Sequence, residues 1–280
     1  MAQRLNGKFD SRVSNETTMP TPSLPPEILD HTIDILHDDP KTLRNCCLVA
    51  KPWIPRTRKH LFSNIRFHSS ERLKSWKKAF PDPSDSPACY ARSLFAGCLE
   101  VIRAEACWIK SFSGVEHLEL EAWGDSLEDP DIFLVPFHNF SPTLKSLVVD
   151  FVTLPCPKLF KLVYSFPLLE DLTIICQFLG NDDDPQALQA VLPSTSPPFT
   201  GSLKLTLPRG SETLAHQLLD LPGGLHFRQL DLLWGHEEDT QWVRELVSAC
   251  SNTLESLNMT CLVPGTFVFI PHWTLTELCL

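Results

Sequence analysis

A recurring leucine spacing constrains this chain more than any other feature. An apolar residue, two others, a leucine, one other and a second apolar residue recur as Val115/Leu118/Leu120, Leu144/Leu147/Val149, Leu169/Leu172/Ile174, Phe227/Leu230/Leu232, Leu254/Leu257/Met259 and Leu275/Leu278/Leu280. Leu203/Leu205 supply a looser copy, with Thr200 in the leading place. The second positions, 118, 147, 172, 203, 230, 257 and 278, lie 29, 25, 31, 27, 27 and 21 residues apart. Each copy reads as one short strand whose apolar face needs a neighbour to cover it, so the copies are expected to stack.

A period of ~20–29 residues is that of leucine-rich repeats. The segments between copies agree. Asp184-Pro185 caps a helix over 184–192, Ser211 caps one over 211–221 that Pro222-Gly223-Gly224 ends, and Thr240 caps one over 241–250. The expected fold is α/β: a small N-terminal three-helix module, then an irregular leucine-rich-repeat solenoid with a curved parallel sheet and outer helices. An ordinary α/β domain with similar strand spacing is the alternative. The chain ends at Leu280 inside what reads as a repeat strand, with no polar capping repeat after it. That leaves two readings: a C-terminally incomplete array, or a last strand that closes it unaided.

Upstream, residues 1–22 are polar and aperiodic and read as a disordered leader. A helical block follows. Leu24-Pro25-Pro26-Glu27 suits a first helical turn, which has no intrahelical N–H bonds to lose. Ile28, Leu29, Ile33 and Leu36 make an apolar stripe at helical spacing. Asp39 and Pro40 supply the N-cap and first position of a second helix carrying Leu43, Cys46, Cys47 and Ala50. Lys51-Pro52 breaks it, and 53–60 reads as a short third helix. Residues 61–67 alternate like a strand, 70–80 form a basic amphipathic helix, and 81–87, with three prolines and two aspartates, read as a linker. The expected domains are 1–22, 23–67, 68–88 and 89–280.

The run from 24 to 62 resembles the F-box family. The likeness rests on Leu24-Pro25-x-Glu27-Ile28, the aliphatic residues after it, Asp39-Pro40-x-x-Leu43, and Cys47-Leu48-Val49-x-Lys51-x-Trp53 followed by a basic run. It covers about one-seventh of the chain, and Ala50 and Pro52 depart from the usual pattern. With degenerate repeats downstream, the whole resembles fungal-type F-box-like proteins. The resemblance implies docking to a Skp-family adaptor, and through it a cullin, by Leu24, Pro25, Ile28, Leu29, Val49 and Trp53. It implies a substrate-recognition subunit of an SCF-type ubiquitin ligase, non-catalytic, binding an unidentified target protein. The alternative is a non-ligase F-box scaffold. From pattern alone, three helices of about 40 residues cannot cover their own leucines and isoleucines. The surplus is covered either by a partner or by the repeats.

Composition excludes much else. No P-loop, GxSxG, HExxH or GxGxxG is present, so no catalytic residue is assigned, and a hydrolase or transferase is the minor alternative. His236-Glu237-Glu238 lacks a second histidine, and Asp182-Asp183-Asp184 reads as a solvated loop. Ten cysteines include no CxxC pair, so no metal and no cofactor are expected and the thiols read as reduced core residues. Neither a secretory signal nor a membrane-length apolar run appears, which points to the cytoplasm or nucleus and leaves the sequons at Asn15, Asn139 and Asn258 idle. Residues 1–80 hold 14 Lys/Arg against 8 Asp/Glu, and residues 81–280 hold 10 against 26. This acidic balance argues against nucleic acid as a partner. The basic run Arg56, Arg58, Lys59, Arg66, Arg72, Lys74, Lys77 and Lys78 reads as a solvated face.

Residues alternating with the buried leucines are expected on the inner face of the solenoid. Among them Glu119, Asp150, Asp171 and Asp231 favour a target with basic residues, and Val148, Ile175 and Leu233 are candidate apolar anchors.

Overall fold

The computed structural model describes residues 25–97, 106–122, 137, 140, 142–153, 156–178, 200–207, 212–221, 224–234, 240–263, 266–269 and 273–274. It opens with three helices, α1 (Pro26–Ile35), α2 (Pro40–Val49) and α3 (Ile54–Leu61), with a 3-10 turn (Lys51–Trp53) before the last. Then follow β1 (Asn64–Phe67), α4 (Ser70–Ala79), β2 (Ser93–Ala96), α5 (Ala106–Ile109), β3 (His117–Ala122), β4 (Ser146–Thr153), α6 (Cys156–Tyr164), β5 (Asp171–Phe178), β6 (Ser202–Leu207), α7 (Glu212–Leu219), β7 (Gln229–Trp234), α8 (Thr240–Cys250) and β8 (Ser256–Val263). Strands β1 to β8 form a parallel sheet in chain order. The arrangement is consistent with a leucine-rich solenoid. Two short strands, β9 (Thr266–Phe269) and β10 (Trp273–Thr274), pair antiparallel with β8. Among the described residues no helix is long and apolar enough to cross a membrane.

The leucine pattern becomes two unbroken rows across the sheet. In the first, Ile65, Leu94, Leu118, Leu147, Leu172, Leu203, Leu230 and Leu257 are successive register partners, all buried. In the second, Phe67, Ala96, Leu120, Val149, Ile174, Leu205, Leu232 and Met259 are aligned the same way. Period-two alternation puts both rows on one face of the sheet, against the apolar sides of α6, α7 and α8.

A backbone ladder sets the register just before each strand. The Ser63 carbonyl accepts from the N–H groups of Arg92 and Ser93, that of Arg92 from Glu116 and His117, and that of Glu116 from Lys145 and Ser146. The Lys145 carbonyl accepts from Glu170 and Asp171, and the Arg228 carbonyl from Glu255 and Ser256. Hydroxyls repeat too: Thr143 Oγ1 donates to the Val115 carbonyl at 2.7 Å and Thr253 Oγ1 to the Phe227 carbonyl at 3.1 Å.

The sheet begins two strands earlier than the leucine pattern indicates. Phe62/Ile65/Phe67 and Ala91/Leu94/Ala96 are copies of the motif in which isoleucine or alanine stands at a key place. Hydrogen bonding between β1 and β2 therefore crosses the boundaries read at 67 and 88. The stretch read as a linker runs in 3-10 turns (Pro83–Asp85 and Pro87–Tyr90), with Ser86, Pro87 and Ala88 buried, and the second turn packs against α3. The leader, the helix over 184–192, the loop acids 182–184, residues 236–238 and the last leucine copy at 275–280 lie outside the described residues.

Gly201 marks one place where the ladder excludes a side chain. A Cβ there would stand 1.6 Å from the Glu170 carbonyl oxygen. Gly201→Ala is therefore expected to force a backbone shift costing roughly 1–3 kcal/mol or more. Leu147→Ala, which opens a cavity in the first row, should cost about 2–5 kcal/mol. Urea midpoints check both, and an unchanged midpoint for Gly201→Ala would show that β6 does not approach β5 this closely.

Candidate docking surfaces

The helical block holds itself together with few residues. Pro26 opens α1 after Pro25, and the Asp39 side chain caps α2, accepting from the backbone N–H groups of Lys41 (3.1 Å) and Thr42 (3.0 Å) and from Thr42 Oγ1. Ile33 of α1, Leu43 and Cys46 of α2 and Thr57 of α3 are buried. Thr57 Oγ1 donates to the Trp53 carbonyl at 2.6 Å. Helices α1 and α2 both pack on α3 and on the turn before it.

An ionic clamp joins α1 to α3. Arg56 Nε donates to Asp34 Oδ1 at 2.6 Å, its Nη2 to Asp34 Oδ2, and His60 Nε2 lies 2.7 Å from Asp34 Oδ1. The bidentate Arg56 bonds, and then His60, hold the Asp34 carboxyl far below the usual carboxylate range.

The residues assigned to adaptor docking divide. Leu24 lies outside the described residues. Pro25, Ile28 and Val49 are exposed, Ile28 at 51% and Val49 at 66%, while Leu29 and Trp53 are half-buried. Two further apolar side chains stand out in solvent: Leu48 at 86% and Ile35 at 67%. Ile35 is seven residues after Ile28 and shares its face of α1. Helical periodicity could have paired it with Ile28, but Ile33 and Leu36 give the stripe a competing phase.

The outward face of the sheet is the second surface. Arg66, Phe95, Glu119, Val148, Thr173, Lys204, Asp231 and Asn258 form one row in register, and Glu121, Asp150, Ile175, Thr206, Leu233 and Thr260 another. The structure gathers Glu119, Glu121, Asp150 and Ile175 where β3, β4 and β5 adjoin. Burial, then the charges of Glu121 and Glu119, push the Asp150 carboxyl up. Asp171 stands apart, exposed between Ser146 and Ser202. Asp231 is compensated by Lys204 at 3.3 Å and by Asn258 Nδ2, which donates to it at 3.1 Å. Leu233 is two strands from Ile175, with Thr206 between them.

The basic run is not uniformly solvated. Arg56 sits in the clamp, and the Arg66 guanidinium lies 4.3 Å from the Phe95 ring centroid and 3.5 Å from Glu119. Lys77 Nζ lies 5.9 Å from the centre of the Trp108 ring. Cys46 and Cys250 are buried free thiols, whereas Cys89 is exposed. Among the described residues no group of His, Cys, Asp or Glu is disposed to hold a metal ion.

Comparison of the chain with protein-family models, with curated proteins and with solved structures finds no match.

The clamp predicts an acid-sensitive block. A carboxyl whose folded pKa lies below its unfolded value near ~3.9 stabilises above that value and loses its contribution as pH falls below it. Asp34→Asn should reproduce the acid effect at neutral pH. Hydrogen-exchange protection of α1 and α3 should drop roughly two- to fivefold, the range for a solvent-screened pair, while the sheet is unaffected. Equal protection in wild type and variant would remove the clamp from the account of the block.

Proposed function

We propose that this chain is a substrate-recognition subunit of an SCF-type ubiquitin ligase. On this reading residues 24–62 are an F-box that docks a Skp-family adaptor and through it a cullin, and a leucine-rich-repeat solenoid binds a target protein. The chain then works in the cytoplasm or nucleus and performs no chemistry itself. It raises the effective concentration of a target lysine near a charged conjugating enzyme.

One observation carries the reading. Of the five large apolar side chains exposed among the described residues, four, Ile28, Ile35, Leu48 and Val49, belong to α1 and α2. The block's interior keeps Ile33, Leu43 and Cys46, and its joint with the sheet uses α3, so neither covers this quartet. Apolar surface concentrated in so short a segment is what a protein partner covers. The F-box resemblance names the kind of partner, since Ile28 and Val49 fall at positions the family uses for its adaptor. Target binding rests on the outward sheet face, where Glu119, Glu121 and Asp150 flank Val148 and Ile175.

Because these anchors are exposed, they can be truncated without touching the core. Ile28→Ala with Leu48→Ala should cost about 2 kcal/mol or more of adaptor affinity, roughly thirtyfold, measured by calorimetry with a Skp-family adaptor. Circular dichroism should be unchanged. Adaptor binding that survives the double substitution would end the F-box assignment. If the adaptor binds but no cullin joins the complex, the ligase role fails while the docking role stands. Glu119→Lys with Asp150→Lys should release captured targets and leave adaptor affinity intact; retained targets would remove the sheet face from recognition.

A further inference from the structure

The two edges of the sheet are treated differently. At the far edge β8 is covered by β9 and β10. At the near edge β1 pairs with β2 and, among the described residues, with no other strand. An uncovered edge presents a row of backbone donors and acceptors that another strand can use. We propose that the free edge of β1 takes up an extended segment of a partner protein, apolar in its alternate residues and acidic between them, by strand addition.

The groove beside this edge fits that occupant. A cleft of ≈ 600 Å³, too large for a lone side chain, is lined by all four residues of β1 together with Phe62, Trp76 and Phe80. The three rings form a wall of tilted and edge-on contacts, with centroids 5.8 Å apart for Phe62–Trp76, 6.0 Å for Phe62–Phe80 and 4.8 Å for Trp76–Phe80. Strand addition uses main-chain hydrogen bonds for affinity and pockets for alternate side chains for selectivity. The edge and the aromatic wall supply these two parts.

Charge selects among the possible occupants. Arg44 and Arg72 are exposed on the rim, with Glu71 as the opposing charge. An acidic segment is attracted here. A second copy of this chain would bring the same arginines against themselves, which is unfavourable across a strand pair. The chain's own leader carries Arg4, Lys8 and Arg12 against Asp10 and Glu16, so it does not complement the rim either.

The test is fluorescence anisotropy of the full chain with a labelled short peptide that alternates valine or phenylalanine with glutamate. Saturable binding is expected. It should weaken roughly tenfold or more when alternate peptide nitrogens are methylated, which removes strand donors, and similarly in the Arg44→Glu/Arg72→Glu variant. Both arginines are exposed, so the variant keeps the fold, and unchanged circular dichroism verifies this. No saturable binding, or binding indifferent to methylation or to charge reversal, overturns the proposal. So does a concentration-dependent dimer that protects β1 from hydrogen exchange, which assigns the edge to a second copy. Tighter peptide binding after removal of residues 1–22 also overturns it, in favour of the leader. None of these readouts involves the adaptor, so the result is independent of the ligase reading.

Discussion

The core of this protein depends on a burial requirement that no single strand can meet. A strand such as β4 presents Leu147 and Val149 to one side, and they reach zero exposure between apolar register partners on β3 and β5, in one core with the apolar sides of the helices. Each β-to-β step therefore contributes an interface as well as a segment, and stability accumulates by neighbours rather than around a centre. The ladder before the strands enforces the register on which this relies. A slip of one residue would turn both apolar rows to solvent. Paired N–H groups at Arg92/Ser93, Glu116/His117, Lys145/Ser146 and Glu170/Asp171 fix the register by hydrogen bonds that leucine packing alone would not specify.

Charge reinforces the same register at the surface. Glu116 lies between Arg92 at 3.1 Å and Lys145 at 3.4 Å, the three residues preceding the neighbouring strands β3, β2 and β4 respectively. Each pair is worth little in solvent. Their sign alternation nevertheless matches one turn to the next and penalises misalignment. On the outward face the same pairing consumes charge that the composition makes look available. Asp231 is engaged by Lys204 and Asn258, and Glu119 faces Arg66, so a net acidic region does not become a uniformly acidic face.

How much of this was legible follows from what each residue type announces. The rows from Leu118 to Leu257 were readable because leucine recurs at both spacing and period, and the helices ending at Leu219 and Cys250 were readable from the cap residues Ser211 and Thr240 and the Pro222-Gly223-Gly224 stop. The strand over 61–67 was legible from its alternation, but its place in the repeat sheet, and β2 altogether, were hidden because Ile65 and Ala96 satisfy the geometry without matching the pattern: register needs an apolar residue, not a leucine. The Asp34–Arg56–His60 clamp spans sequence separations of 22 and 26 and leaves no local signal. Ile35 and Leu48 were missed as exposed residues for a different reason. Periodicity shows which residues share a helical face, but which face a neighbour covers is decided by the packing of α1 and α2 on α3.

Terminal turns of a stacked array have one neighbour in place of two, so the first turn needs support from elsewhere. Here α4 provides it through aromatic packing. Phe62 and Phe67 meet Trp76 edge-on at 5.8 and 5.9 Å, and Phe67 and Trp76 both reach Phe112, at 6.0 and 6.1 Å. Because Phe62 follows α3 directly, this cluster also holds the end of the helical block against the sheet. The packing of α3 on the turn Pro87–Tyr90 supplies a second attachment. The exposed residues of α1 and α2 are thus carried on a block anchored at two points, while among the described residues nothing covers Ile28, Ile35, Leu48 and Val49. Rigid support under exposed apolar side chains lowers the ordering cost of any contact they make, because a preorganised block has less conformational freedom to lose.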